Sequence, residues 1–212
     1  MSELHSSAAT GYLFVVSAPS GGGKTTLVHA LLDATEGLSV SVSHTTRQCR
    51  PDEQDGIDYH FVSDAKFDAM IAGGEFLEHA VIFDNRYGTS RDSVFEHLHH
   101  GRDVVLDIDW QGARMVRERF DSTVSIFILP PSVEELERRL TDRGGDSTEV
   151  IARRMQDAQN EMSHYREYDY LVFNDDFDRA VAALGNVVGA ARQRRAIQQA
   201  RHADILTQLV AT

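Results

Sequence analysis

The sequence predicts an α/β protein in which a parallel β-sheet core is flanked by helices, and two observations carry that reading. Short apolar runs recur along the chain with helical segments between them, and several are apolar without a break, as strands buried on both faces tend to be. The first run, Tyr12-Leu13-Phe14-Val15-Val16, leads through Ala18-Pro19-Ser20-Gly21-Gly22-Gly23-Lys24-Thr25-Thr26 into an apolar-periodic segment, Leu27 to Leu32. A strand, a glycine turn and a helix in that order bring backbone N–H groups to one point without Cβ obstruction.

Strands are expected over Leu13–Ser17, Leu38–Ser43, Val104–Ile108, Ser125–Leu129 and Tyr170–Phe173, with helices between them. After Pro130-Pro131, Ser132 and Glu135 have capping-box spacing and open one helix; Asp146 and Glu149 give the same signal for the next. From Thr45 to Ser90 the pattern changes to short aromatic strand-like pieces with turns at Gly56, Gly73-Gly74 and Asn85, which reads as an inserted lobe. A second insertion, Arg138 to Ser163, is charged and holds a glycine turn at Gly144-Gly145, which suits a movable lid. The methionines and phenylalanines read as core, and His97, His99 and His100 as a helix end.

Composition narrows the class. At 212 residues the chain can build a full core, as one α/β unit or two small domains. A net charge of −12 argues against a nucleic-acid partner, which would require a basic face. The single cysteine, Cys49, excludes an internal disulfide framework and a clustered thiolate metal site. Met1 to Gly11 shows no cationic segment ahead of an apolar one, and no apolar run approaches the roughly 18 to 20 residues that cross a bilayer. The expectation is a cytoplasmic protein with no membrane or nucleic-acid partner.

The glycine turn carries the sharpest chemistry. Phosphate binding requires clustered N–H donors, a helix N-terminus, one mobile cation and a hydroxyl for Mg²⁺, and Gly21 to Gly23, Lys24 and Thr25 supply these in order. Ala18 stands where the G-x-x-x-x-G-K-[ST] pattern has its first glycine. The alternative is a glycine-rich connector with a chance lysine, but the chain has only two lysines, Lys24 and Lys66, and one falls at the P-loop position.

A second constellation lies in the inserted lobe. Ser43-His44-Thr45-Thr46-Arg47-Gln48-Cys49-Arg50 places two guanidiniums three apart in an expected loop, followed by Tyr59, Glu78 and Tyr87-Gly88-Thr89. Arginine forks grip phosphate bidentately and tyrosine hydroxyls add donors. An isolated arginine pair is usually solvated surface; beside a P-loop it becomes an acceptor site, and a phosphoryl-transfer enzyme requires both donor and acceptor. Asp107 and Asp109, two apart on an expected strand, share one face at its carboxyl end, where open α/β sheets bind ligands.

On these residues the chain resembles the guanylate kinases, which convert GMP and ATP to GDP and ADP. The resemblance runs from about Tyr12 to Asp176 and rests on Ser17-Ala18-Pro19-Ser20-Gly21-Gly22-Gly23-Lys24, Ser43-His44-Thr45-Thr46-Arg47, Asp58-Tyr59-His60-Phe61, Glu75-Phe76-Leu77-Glu78-His79, Tyr87-Gly88-Thr89, Leu106-Asp107-Ile108-Asp109-Trp110-Gln111-Gly112 and Asn174-Asp175-Asp176. It implies a P-loop NTPase fold with a core from residues 1–43, 91–137 and 164–212, a GMP-binding lobe at 44–90 and a lid at 138–163. It implies that Ser43, Glu78 and Thr89 read guanine, that Arg47, Arg50, Tyr59 and Tyr87 hold the GMP phosphate, and that Asp107 and Asp109 serve the acceptor side. A Glu78 carboxylate only accepts hydrogen bonds, which suits the N1–H and amine of guanine and not the N1 acceptor of adenine. ATP is then held by Ser20, Gly21, Gly22, Gly23, Lys24, Thr25 and Thr26, with Arg139, Asn174 and Asp175 on the adenine side. Lys24, Arg50, Arg143 and Arg154 neutralise charge during transfer, with Arg139, Arg143 and Arg154 matching the lid arginines that close on the phosphates. Mg²⁺ is the implied cofactor, held by Thr25, with Asp107 a second support through water. The dGMP acceptor is implied as well.

Bacterial members resemble the chain most, in the alanine at Ala18 and a basic C-terminal helix, here Ala190 to Leu209, a candidate self-association surface. Cys49 and Asp52 stand where proline and glycine are common in the family, and Thr25 and Thr89 replace serines while keeping the hydroxyl. Two rivals remain. A kinase-dead guanylate-kinase-like interaction domain is disfavoured by the presence of Lys24, Thr25 and the lid arginines, and a P-loop kinase of a small sugar phosphate by Ser43, Glu78 and Thr89.

Overall fold

A computed structural model describes residues 11–82, 84–142 and 148–211. Arg143, Gly144-Gly145 and Asp146 of the expected lid, with Met1 and Phe83, lie outside the described residues. The chain opens with β1 (Leu13–Ser17), α1 (Lys24–Ala34) and β2 (Leu38–Val40). It continues through β3 (His44–Thr45), β4 (His60–Phe61), α2 (Asp64–Ala72), β5 (Phe76–Ile82) and β6 (Asn85–Ser90). There follow α3 (Arg91–His99), β7 (Asp103–Asp107), α4 (Trp110–Arg119), β8 (Val124–Leu129), α5 (Val133–Asp142) and α6 (Thr148–Ser163). A 3₁₀ turn (His164–Glu167) leads to β9 (Tyr170–Phe173), α7 (Phe177–Arg192), α8 (Arg195–Arg201) and α9 (Ala203–Val210).

Two sheets result. The larger has the order β2-β7-β1-β8-β9 with every pairing parallel. Its pleat sends Leu13 and Val15 towards Val94 and Leu98 of α3 and Ala113 and Val116 of α4. Phe14 and Val16 face the opposite way, into Leu27, Val28 and Leu31 of α1 and Leu184 and Val188 of α7. Helices cover both faces, and this is why β1 is apolar at every position. The smaller sheet, β4-β3-β6-β5, encloses its own core of Phe67, Met70 and Phe76. Helices α5 and α6 pack on each other through Leu136, Leu140 and Ala158.

The start of α1 differs from those of α2, α4 and α7. Ser63, Asp109 and Asp176 cap α2, α4 and α7, each accepting a backbone N–H. At α1 the capping position is Gly23, in the left-handed region at φ 83°, with no side-chain cap and no acidic residue in the first turn. Its first-turn N–H groups therefore point unclaimed by any side-chain cap to the carboxyl end of the sheet, where an anion satisfies them.

Several expectations need correction. The strand from Leu38 ends at Val40; beyond it the Ser41 N–H donates to Val105 (3.1 Å) and the Ser43 carbonyl accepts from His60 (2.9 Å), handing the chain from one sheet to the other. The turn placed at Asn85 falls on Asp84, at φ 64°, and Asn85 already belongs to β6. Only half of the Ser132–Glu135 box forms: Ser132 Oγ accepts the Glu135 N–H, while the Glu135 carboxylate goes to Arg138 and Arg139. Phe173 and Phe177 are exposed and not core: Phe173 because β9 is an edge strand in which only alternate residues face inward, and Phe177 as the first residue of α7. The continuous helix Ala190–Leu209 is instead the end of α7, then α8 and α9. Tertiary contacts break it: Arg192 Nε donates to buried Asp103 Oδ2 (2.7 Å), Arg201 approaches the other oxygen (3.6 Å), and Arg194 lies over the Tyr12 ring. Among the described residues no helix is long and apolar enough to cross a membrane.

A Cβ at Gly23 would lie 2.6 Å from Asn174 Nδ2 on a backbone already at φ 83°. Gly23→Ala is expected to destabilise the protein by about 1–2 kcal/mol from the left-handed conformation alone. Gly185→Ala in α7, where a Cβ meets no described atom within 4 Å, should be neutral or stabilising by up to about 1 kcal/mol. Urea denaturation of the two variants makes the comparison.

Candidate active site

The carboxyl ends of β1 and β7 and the facing edge of the smaller sheet enclose a cleft lined by Lys24, Thr25, Ser43, Tyr59, Glu78, Ala80, Ile82, Tyr87, Asp107, Ile108 and Asp109. Most of its polar lining was expected from sequence, gathered here from positions far apart in the chain. At its floor Lys24 Nζ lies 2.5 Å from Asp107 Oδ1 and donates to the Ile108 carbonyl at 2.9 Å. Thr25 Oγ1 donates to Asp107 Oδ2 at 3.1 Å. The threonine hydroxyl and the carboxylate are hard oxygen donors at the mouth of the glycine loop, the type of set that fits Mg²⁺.

Asp109 does not share a strand face with Asp107. It follows the strand as the cap of α4, accepting from the Gly112 N–H and from Gln111 Nε2, both at 2.9 Å. The two carboxylates therefore serve different sides of the cleft, Asp107 towards the P-loop and Asp109 towards Glu78.

The rim of the P-loop is tied down by residues that sequence reasoning placed elsewhere or missed. The Ser20 N–H donates to Glu161 Oε2 at 2.7 Å, and Arg154 Nη2 donates to Ser20 Oγ at 3.3 Å. Both partners sit on α6, seven residues and hence two turns apart, so one helix face meets the loop. Glu161 was not anticipated, because a lone glutamate in a charged helix carries no signal of its own. Burial pushes its carboxyl up, against the Ser20 amide and Lys24, which hold it down. Asn174 Nδ2 donates to the Gly22 carbonyl at 3.0 Å, so Asn174 braces the loop directly. Arg139 bridges the Asn174 carbonyl (2.9 Å) and Glu135 (2.8 Å), whereas Asp175 pairs on the surface with Arg179.

On the opposite wall Glu78 is only 2 % exposed in the middle of β5, and the Thr89 hydroxyl donates to its Oε1 at 2.5 Å. Burial raises its carboxyl to about 7, with Asp109 adding to the rise and the Thr89 hydroxyl opposing it. Thr89 is fully buried behind Glu78 and does not line the cleft. The Tyr59 phenol, raised to about 12 by burial and by Asp107, stays protonated and can donate at neutral pH; its ring packs edge-on against Tyr87.

Arg47 and Arg50 do not line the cleft. Both arms of Arg47 go to Glu53 (2.9 and 2.7 Å), and its guanidinium lies over the Tyr59 ring at 5.4 Å. The Arg50 amide donates to the same carboxylate at 2.9 Å, while its guanidinium is exposed. Glu53, six residues beyond Arg47 in a loop, has no regular spacing by which sequence could assign it. Arg143 lies outside the described residues.

Glu78 yields a pH prediction with a defined sign. Its pKa is raised from 4.5 in the unfolded chain to about 7 in the fold, so the folded state is penalised progressively as pH rises through that window. Glu78→Gln removes the penalty, and the stability gap between variant and parent should grow in the variant's favour by about 2–3 kcal/mol from pH 5 to pH 8. Denaturant titrations at the two pH values measure it; a gap independent of pH would contradict the burial argument.

Comparison with known proteins agrees with this geometry. A family model described as guanylate kinase matches residues 10–191. A guanylate kinase of Alkalilimnicola ehrlichii is 58% identical over 200 residues, covering 94% of this chain and 98% of the relative. One from Chromohalobacter salexigens is also 58% identical, over 94% of this chain and 93% of its own. The crystal structure of guanylate kinase from Anaplasma phagocytophilum superposes with a TM-score of 0.77 at 35% identity, covering 93% of this chain and 94% of that one. With a P-loop, a second sheet carrying the buried glutamate and a cleft between them, the chain belongs to the guanylate kinase family.

Proposed function

We propose that this protein transfers the γ-phosphoryl group of ATP to GMP, and to dGMP, within the cleft between its two sheets, in the cytoplasm. The observation that carries the reading is that P-loop Lys24 and Thr25 share one cleft with Ser43, Tyr59, Glu78 and Tyr87 of the inserted lobe. The ionised Glu78 carboxylate accepts from the N1–H and amine of guanine and is aligned by Thr89, with Ser43 on the same wall. Adenine presents an acceptor at N1 and is rejected. The GMP phosphate takes the place of the Glu53 carboxylate on Arg47, joined by Arg50, Tyr59 and Tyr87; a phosphate matches the same bidentate fork.

On the donor side the glycine loop from Gly21 to Gly23 and the first turn of α1 through Thr26 cradle the ATP phosphates, and Arg139, Asn174 and Asp175 lie towards the adenine. Thr25, with Asp107 beside it, would hold Mg²⁺, which when bound neutralises phosphate charge. The acceptor oxygen of GMP is already ionised, so no general base is required. Lys24 leaves Asp107 for the transferring group, and Arg50, Arg154 and Arg143 complete the positive surround. Residues 138–163, from the end of α5 through α6, form the lid that excludes water.

A coupled assay with ATP and a panel of GMP, AMP, UMP and ribose phosphates should show activity on GMP alone among them. Lys24→Ala is expected to lower kcat by about 100-fold or more; unchanged turnover would reject the P-loop role. Glu78→Ala should weaken GMP by about 1–3 kcal/mol while leaving ATP unaffected. An equal loss for both nucleotides, read by calorimetry, would show that Glu78 is structural.

A further inference from the structure

The buried wall that presents Glu78 is irregular. Phe76 pairs with Ser90 and Glu78 with Thr89, so Leu77 is the extra residue of a bulge in β5. Phe76, Leu77 and Glu78 are all buried, where a regular strand would turn the middle one outward. Phe76 joins the core of the smaller sheet, while Leu77 joins that of the larger with Ala113 and Val116 of α4. The bulge thus lets one short segment fill two cores and still aim Glu78 into the cleft.

Helix α4 touches this bulge at two points. Arg119 Nη1 donates to the Leu77 carbonyl at 2.8 Å. Two turns earlier on the same face, Gly112 faces the carboxylate: a Cβ there would overlap Glu78 Oε2 and lie 3.0 Å from its Cδ. Gly112 is not among the glycines with positive φ, so it is the missing side chain and not backbone freedom that the position uses. On the far side the carboxylate is held by Thr89 Oγ1. With its strand pinned and its head placed between α4 and Thr89, the Glu78 carboxylate gives way to a group at Gly112 only by leaving this position.

We propose that Gly112 and Arg119 are positioning residues for guanine recognition, Gly112 by leaving the room that sets where the Glu78 carboxylate sits and Arg119 by holding the bulge that aims it. The inference rests on Glu78 as the partner of guanine. Two parallel hydrogen bonds to a base edge weaken steeply when the acceptor is displaced or turned, so a methyl group at Gly112 acts on GMP without touching it.

The test uses the full chain carrying Gly112→Ala, Glu78→Ala and both together, with GMP affinity by calorimetry, ATP KM by coupled assay and thermal melting. Gly112→Ala should raise the GMP Kd about tenfold or more while ATP KM stays within about twofold, because a displaced acceptor loses most of its hydrogen bonding. Tm should fall in Gly112→Ala, because the added methyl overlaps a confined carboxylate, and the same substitution should not lower Tm in the Glu78→Ala background, where alanine is only the better helix former. In the Glu78→Ala background the same substitution should change GMP Kd by less than about twofold. Arg119→Ala should raise GMP Kd roughly fivefold, again only while Glu78 is present.

A GMP Kd that Gly112→Ala leaves unchanged, a matching rise in ATP KM, or losses that add in the double variant would overturn the proposal. If Gly112→Ala fails to fold, its rescue by Glu78→Ala supports the clash with that carboxylate, and failure in both backgrounds overturns it. Should Glu78→Ala alone leave GMP affinity intact, the reading of Glu78 falls, a result separate from a silent Gly112→Ala beside a defective Glu78→Ala.

Discussion

The contact between Lys24, Thr25 and Asp107 is the joint on which the site depends, and it is a consequence of strand register. β1 and β7 pair in parallel with Val16 opposite Asp107, so the chain leaving β1 enters its glycine turn directly beside the last residue of β7. The turn brings Lys24 back to 2.5 Å from that carboxylate and Thr25 to 3.1 Å from its other oxygen. A slip of one residue would turn Asp107 to the other face of the sheet. The helices that bury Leu13 and Val15 on one side and Phe14 and Val16 on the other are what hold the register.

Three cations around the cleft are paired with carboxylates: Lys24 with Asp107, Arg47 with Glu53 and Arg139 with Glu135. Each partly buried pair keeps its cation in a defined place and avoids an uncompensated charge in a poorly solvated setting. Glu78 is the exception. Its nearest partner is the neutral Thr89 hydroxyl, and burial accordingly moves it to about 7. A carboxyl kept at that cost to stability is typical of groups held for recognition or chemistry.

Helix α6 meets the glycine loop at Ser20. The Ser20 amide donates to Glu161 and its hydroxyl accepts from Arg154, so α6 is tied to the P-loop at this position through both side chains. Asn174 supports the same loop from below, at the end of β9. Two elements distant in sequence, α6 and the end of β9, thereby share the task of fixing one turn, consistent with phosphate sites needing little chemistry but accurate placement.

Sequence alone determined the parts governed by local chemistry. Five strand positions were legible because period and apolarity are local, and the P-loop because its glycines, lysine and threonine are adjacent. The guanine-reading role of Glu78 came from the resemblance to the guanylate kinases, with which the chemistry of a carboxylate that only accepts hydrogen bonds accords. What only the tertiary structure decided was which groups face one another: that Asp107 and not Asp109 meets Lys24, that Thr89 stands behind Glu78, that Glu53 pairs with Arg47 and Arg50, and that the C-terminal helix breaks where Arg192 and Arg201 reach Asp103. These partners lie on different elements or in irregular loops, so no fixed spacing links them. Distances between such groups follow from how the sheets and helices pack, a property of the whole chain and not of any segment within it.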